Sequence, residues 1–144
     1  MRISQPWSHH QSVISDSTGK WEVQLRKGCV ELATLASLWP GRLYGLEMLR
    51  RLEYCSGLVV SEGTIYPLLG RFERGGLIEA EWVETGLGHP RKYYTLTAAG
   101  ARRTLEMTRL WSRFTTNFDQ VLMPLSGAAR SFPGGTSAET DPPS

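Results

Sequence analysis

Between residues 21 and 39 the apolar positions Leu25, Cys29, Leu32, Ala36 and Trp39 recur at intervals of 4, 3, 4 and 3. That spacing puts them on one face of a helix. Leu35 and Leu38 widen the face, and Pro40-Gly41 ends the helix. A second helix is predicted from Leu43 to Cys55, with Leu46, Leu49 and Leu52 inward and Arg50, Arg51 and Glu53 outward or lateral. Ser56-Gly57 breaks it, and Leu58-Val59-Val60 forms a short apolar link. Ser61 then offers an N-cap hydroxyl, with Glu62 in the first turn, where the helix dipole favours an anion. This third helix runs to Arg74 and stops at Gly75-Gly76. Pro67 falls past its first turn, removes one backbone hydrogen bond and predicts a bend.

From Leu77 to Val83 the period changes to two, through Ile78, Ala80 and Trp82, which predicts a half-buried strand. Thr85 to Pro90 has the composition of a loop, and Arg91 to Leu96 is a second strand rich in tyrosine. Thr97 caps a last helix reaching Leu122. Its positions Met107, Trp111, Phe114, Phe118 and Val121 repeat the 4, 3, 4, 3 spacing, an a/d seam too bulky for so small a domain to cover by itself. The face of the first helix through Leu25, Cys29 and Leu32 joins that seam in the predicted dimer interface. Packing within one chain is the alternative.

The element order gives an α+β, mainly α fold: a winged helix-turn-helix with a long C-terminal dimerisation helix. Residues 1–20 hold Ser, His, Gln, Asp and Gly with no apolar period, and residues 123–144 are rich in Pro, Gly, Ser and Thr, so both are expected to be disordered tails. Residues 21–96 form the winged helix and 97–122 the dimerisation helix. Trp7 and His9-His10 fall in the first tail, where two adjacent histidines without Cys or carboxylate partners make a poor metal site.

Composition narrows the function classes. The 144 residues carry a formal net charge of only +2, so the distribution of charge must decide for or against nucleic acid. No stretch approaches the ~20 apolar residues of a membrane span, and the start runs straight into polar residues, so a cytoplasmic protein is expected. Cys29 and Cys55 cannot build a disulfide framework and read as reduced, mostly buried thiols. There is no His/Cys cluster, no Gly-rich phosphate loop after a strand and no serine in a nucleophile turn. An enzyme, a metal site and a cofactor are therefore not expected.

A winged helix-turn-helix has a physical use for what remains. The second helix of the turn fits a DNA major groove, and the hairpin reaches the neighbouring backbone. The third helix opens with Ser61, Thr64 and Tyr66, whose hydroxyls can bond phosphates or base edges, and Arg71 and Arg74 follow. In the wing, Arg91 and Lys92 are the candidate phosphate contacts. Each has a structural alternative: Ser61 as a cap alone, Tyr66 in the core, Arg71 and Arg74 paired with Glu73 or Glu79, and Arg91 and Lys92 neutralised across the hairpin by Glu81 and Glu84. The competing function is a winged-helix protein-interaction module without DNA binding, kept open by the low net charge and by Glu79, Glu81 and Glu84.

The stretches LRKGCVELATLASL, GTIYPLLGRFERGGLIE and RKYYTLTAAG, in this order and spacing, resemble the PadR family of bacterial transcriptional regulators in its shorter form with a single C-terminal helix. The resemblance spans about residues 25 to 122. It implies a homodimer whose last helices cross to the partner chain, a recognition helix containing Tyr66, and a wing ending in Arg91-Lys92-Tyr93-Tyr94. It also implies repression from a double-stranded operator with an inverted repeat, relieved by a small aromatic or hydrophobic effector. Trp111 matches the tryptophan that lines a flat pocket at the dimer centre in some members. Two departures stand out. Tyr44-Gly45-Leu46 replaces a frequent His-Gly-Tyr run, and Gly70 replaces a larger residue on the recognition helix, which costs about 0.5–1 kcal/mol of helix stability relative to Ala.

Overall fold

The computed structural model describes residues 16–86 and 88–126. Trp7 and His9-His10, and most of the two expected tails, lie outside the described residues. The chain divides into two compact units, residues 1–108 and 109–144.

In the first unit, helix α1 (Asp16–Ser37) leads into a two-residue strand β1 (Leu43–Tyr44), then helices α2 (Gly45–Ser56) and α3 (Glu62–Arg74), strands β2 (Ile78–Val83) and β3 (Arg91–Leu96), and helix α4 (Ala98–Leu122), which begins here and ends in the second unit. The sheet order is β1-β3-β2, antiparallel throughout. Ile78 faces Leu96 and Val83 faces Arg91 across the hairpin, while Leu43 faces Tyr94 and Tyr44 faces Tyr93 along the short edge.

The core collects Leu35 and Leu38 of α1, Leu43 of β1, Met48 and Leu52 of α2, Ile65, Leu69 and Phe72 of α3, Ile78 of β2 and Tyr94 of β3. Each such side chain contributes about 1.5–3 kcal/mol by leaving water. Met107 of α4 packs against this cluster. The 4, 3, 4, 3 face of α1 is not the face that enters the core: Leu25 is exposed, and Cys29 and Leu32 are half-buried. The core is met one step round the helix, through Leu35 and Leu38.

Several expectations need correction. Helix α1 starts at Asp16, inside the segment read as tail, and ends at Ser37, two residues before Trp39. Leu43 and Tyr44 are strand, because their partners lie on β3, so α2 begins at Gly45. That start turns Met48 and Leu52 inward and leaves Leu46 exposed. Cys55 is exposed and Cys29 half-buried, so the thiols are less enclosed than their helical settings imply. Pro67 is accommodated inside α3, which continues from Glu62 to Arg74.

The start of α4 is fastened to the turn that follows α3. The Thr97 N–H donates to the Leu77 carbonyl at 3.0 Å. The Thr97 hydroxyl donates to the Gly76 carbonyl at 2.6 Å and accepts from the Gly100 N–H at 3.0 Å. In the second unit, α4 carries exposed Trp111, Phe114, Phe118 and Val121 and ends in a short 3-10 turn, Met123–Leu125. The Phe114 and Phe118 rings stack with centroids 5.7 Å apart.

Candidate nucleic-acid interface

The wing is built by glycine at its tip. Gly86 and Gly88 have φ of 72° and 83°, conformations that residues with a Cβ rarely adopt, and they turn β2 back into β3. The Thr85 hydroxyl steadies the loop by donating to the His89 carbonyl at 3.0 Å.

Between the wing, the start of α2 and the outer side of α3 lies a cleft of about 430 Å³, lined by residues that include Tyr44, Leu46, Tyr66, Trp82, Arg91 and Lys92. Tyr66 is 42% exposed, which removes the core alternative for it. Its ring lies so close to α2 that a Cβ on Gly45 would stand 2.5 Å from the phenol oxygen. Gly45 is thus the residue that admits Tyr66 to the cleft. Trp82 has the period of a buried strand position but is 66% exposed. It lies near the tip of the hairpin, where the helices no longer cover the inner face.

The cations are held in distinct ways. The Lys92 ammonium sits 3.3 Å from a Glu73 carboxylate oxygen on α3 and 5.5 Å from the Tyr94 ring centroid. Its expected partners Glu81 and Glu84 are not the ones used, because Trp82 faces Lys92 across the ladder and Val83 faces Arg91. The Arg91 guanidinium lies 4.5 Å from the Tyr44 ring centroid and, among the described residues, has no carboxylate within ion-pair distance. Burial raises the Tyr94 hydroxyl above its ordinary value, with Lys92 pulling it down and Glu73 adding to the rise.

Three of the six sequence-derived contact residues, Tyr66, Arg91 and Lys92, therefore line one cleft. Ser61 and Thr64 sit at the exposed start of α3, where their hydroxyl oxygens are 3.0 Å apart and the Ser61 carbonyl accepts from the Thr64 and Ile65 N–H groups. Arg71 is about 140° round the helix from Tyr66. It pairs at 3.0 Å with Glu31 of α1, in place of the Glu73 or Glu79 suggested by proximity in sequence. Arg42, which the sequence does not single out, lies on the wing sheet. It stacks 4.6 Å from the Tyr93 centroid and stands 3.9 Å from Glu81. A larger groove of about 840 Å³ between α1 and α2, bordered by Ala33, Ala36, Pro40, Arg50, Arg51 and Tyr54 among others, is mainly apolar and holds none of the six sequence-derived contact residues. Among the described residues no group of His, Cys, Asp and Glu could hold a metal ion, and no helix is long and apolar enough to cross a membrane.

Residues 34–106 match the model of the transcriptional regulator PadR-like family. Solved structures agree. A PadR family transcriptional regulator from Eggerthella lenta is 30% identical, with 74% of this chain and 93% of that one covered and a TM-score of 0.67. A PadR-like transcriptional regulator from Bacillus cereus is 34% identical, covering 69% and 96%, with a TM-score of 0.63. A PadR-like transcription factor from Bacteroides fragilis is 33% identical, covering 71% and 98%, with a TM-score of 0.59. The comparison with curated proteins returned no match.

Proposed function

Given that this chain belongs to the PadR-like family of transcriptional regulators, we propose that it is a dimeric repressor that binds an inverted-repeat operator through α3 and the wing. The observation that carries this reading is the cleft in which Tyr66 of α3 and Arg91 and Lys92 of the wing converge. A helix flanked by a cationic hairpin is the geometry for base edges in the major groove and phosphates beside it. In this reading Ser61 and Thr64 approach the DNA with the exposed start of α3, and Tyr66 reaches base edges. Arg91 and Lys92 bind phosphate. Lys92 exchanges Glu73 for the DNA, since a pair this exposed is worth little on its own. Arg71 releases Glu31 in the same way.

The dimer is supported by apolar faces that a lone chain leaves in water. On α1 that face includes Leu25, and on α4 it runs through Trp111, Phe114, Phe118 and Val121. Cys29, Leu32 and Met107 are only half-buried and extend the two faces. The two α3 helices would read half-sites about one helical turn, ~34 Å, apart. The effector is a planar aromatic or hydrophobic molecule that stacks on the exposed Trp111 indole near its symmetry mate.

The test is capture of genomic fragments with the purified protein, followed by sequencing. An inverted repeat is the expected outcome, and uniform recovery of random fragments would refute sequence-specific binding. Lys92→Ala and Arg91→Ala should weaken binding to every sequence and flatten its salt dependence. Sedimentation should give a dimer for the native chain and a monomer for Phe114→Asp with Phe118→Asp. Fluorescence titration of planar aromatics should show quenching that Trp111→Phe abolishes.

A further inference from the structure

The outer face of the wing sheet carries an arrangement that the cleft absorbs only in part, through Tyr44 and Arg91. Leu43 and Tyr94 face each other and are both buried, so their neighbours Tyr44 and Tyr93, also directly paired, occupy the opposite face. There the Arg42 guanidinium lies 4.6 Å from the Tyr93 centroid, and Tyr93 meets Tyr44 edge to face at 5.6 Å. The Arg91 guanidinium lies 4.5 Å from the Tyr44 centroid. The four side chains form one row, arginine, tyrosine, tyrosine, arginine, along the edge formed by the two-residue strand β1.

A cation over a ring uses the charge of the guanidinium and none of its five N–H donors. The row therefore fixes two guanidiniums without consuming the groups that bind oxyanions. Among the described residues Arg42 has one anionic neighbour, Glu81 at 3.9 Å, and both side chains are more than half exposed, at 52% and 74%. Contacts of that length and exposure are readily exchanged. The positive end of α2 is close by, and there the Glu47 carboxylate already accepts from the Tyr44 N–H at 3.5 Å.

We propose that Arg42 is a further phosphate-binding residue of the DNA site, held in line with Arg91 by the rings of Tyr93 and Tyr44, which act as positioning residues. The proposal rests on the DNA-binding reading above. One DNA strand runs past the β1 edge, Arg91 binds it at the cleft, and Arg42 binds the same backbone on the far side of the two rings. Glu81 opposes this by competing for Arg42 and repelling phosphate.

The experiment is fluorescence anisotropy of the full chain with a labelled random-sequence duplex over a range of KCl concentrations. A phosphate contact contributes about 0.9 to the slope of log K against log salt, so Arg42→Gln in a dimer should flatten it by roughly 1.8. Glu81→Gln should tighten binding at every salt concentration. Tyr93→Leu should flatten the slope as Arg42→Gln does, whereas Tyr93→Phe should leave it unchanged. Circular dichroism and thermal melting check that each variant is folded; Arg42 is exposed enough for both Arg42→Gln and Arg42→Ala to be usable. A native slope in both Arg42 variants overturns the proposal, as does a lowered affinity with an unchanged slope, which would make Arg42 structural. If the native chain binds no duplex at low salt, the DNA reading falls and the proposal with it. If the native chain binds and only the Arg42 variants match it, the proposal alone is wrong.

Discussion

Gly100→Ala should destabilise the first unit, although the substitution improves helix propensity. Gly100 is buried in the first turn of α4. A Cβ built there meets the Leu77 carbonyl oxygen well inside contact distance, and it stands 2.9 Å from the Leu77 carbonyl carbon and 3.1 Å from Leu96 Cδ2. The obstacle is backbone, so no rotamer change can clear it. That same carbonyl accepts the Thr97 N–H at 3.0 Å, the bond that seats the helix start on the turn after α3. Replacing Gly by Ala in a helix favours folding by roughly 0.5–1 kcal/mol. Against that stand overpacking of about 1–3 kcal/mol and loss or distortion of a hydrogen bond worth about 0.5–1.5 kcal/mol. The balance is a net loss of about 1–3 kcal/mol. Urea unfolding at fixed chain concentration measures it, as a lower midpoint with an unchanged slope. A midpoint equal to or above that of the native protein would refute the close approach of α4 to Leu77.

Other perturbations test other parts of the unit. Gly45→Ala meets only the far end of the Tyr66 ring, which is half-exposed and can swing away. Stability should change by less than about 0.5 kcal/mol, while DNA affinity falls non-additively with Tyr66→Ala in a double-mutant cycle. Thr34→Val should raise the urea midpoint, because among the described residues the buried Thr34 hydroxyl has no hydrogen-bond partner and such a group costs about 1–3 kcal/mol. The raised value of Tyr94 means that the folded state holds this proton more tightly than the unfolded chain does. Its contribution is complete below the ordinary value of 10.0 and is lost as pH rises towards the higher folded value. Between about pH 8 and about pH 11 the native protein should therefore lose more stability than Tyr94→Phe. Equal losses would show that the fold does not hold the Tyr94 proton more tightly than the unfolded chain does.

The parts of this fold that could be read from the chain are those whose cause lies within a few residues. Ser61 and Gly75 bracket α3, and the change from a period near 3.6 to a period of two marks the hairpin. Thr97 starts α4 because its hydroxyl takes the Gly100 N–H. What could not be read depends on distant partners. Nothing local makes Leu43-Tyr44 a strand; its ladder is supplied by Tyr93 and Tyr94, across two helices and a hairpin. Missing it shifted the start of α2, which exchanged Met48 for Leu46 as an inward residue.

The ion pairs followed the same rule, and it decides how much of the site was accessible. Lys92 reaches Glu73 and Arg71 reaches Glu31, both on other elements, in place of the acids nearest to them in sequence or across the ladder. Trp82 has the correct period but not the burial, because alternation assigns a face and cannot say how far the helices extend beneath it. That Tyr66, Arg91 and Lys92 line one cleft is legible in the sequence because their positions on the helix and in the wing are local properties. The setting of Arg42 is not legible, because beside Pro40-Gly41 it reads as a turn residue. Its stacking on Tyr93 exists only through the β1–β3 pairing, and without that pairing Arg42 and Arg91 have no reason to share an edge. The two-residue strand thus does more than extend the sheet. By registering Tyr44 on Tyr93 it sets the start of α2, the seat of Tyr66 against Gly45 and the row of guanidiniums from a single pairing.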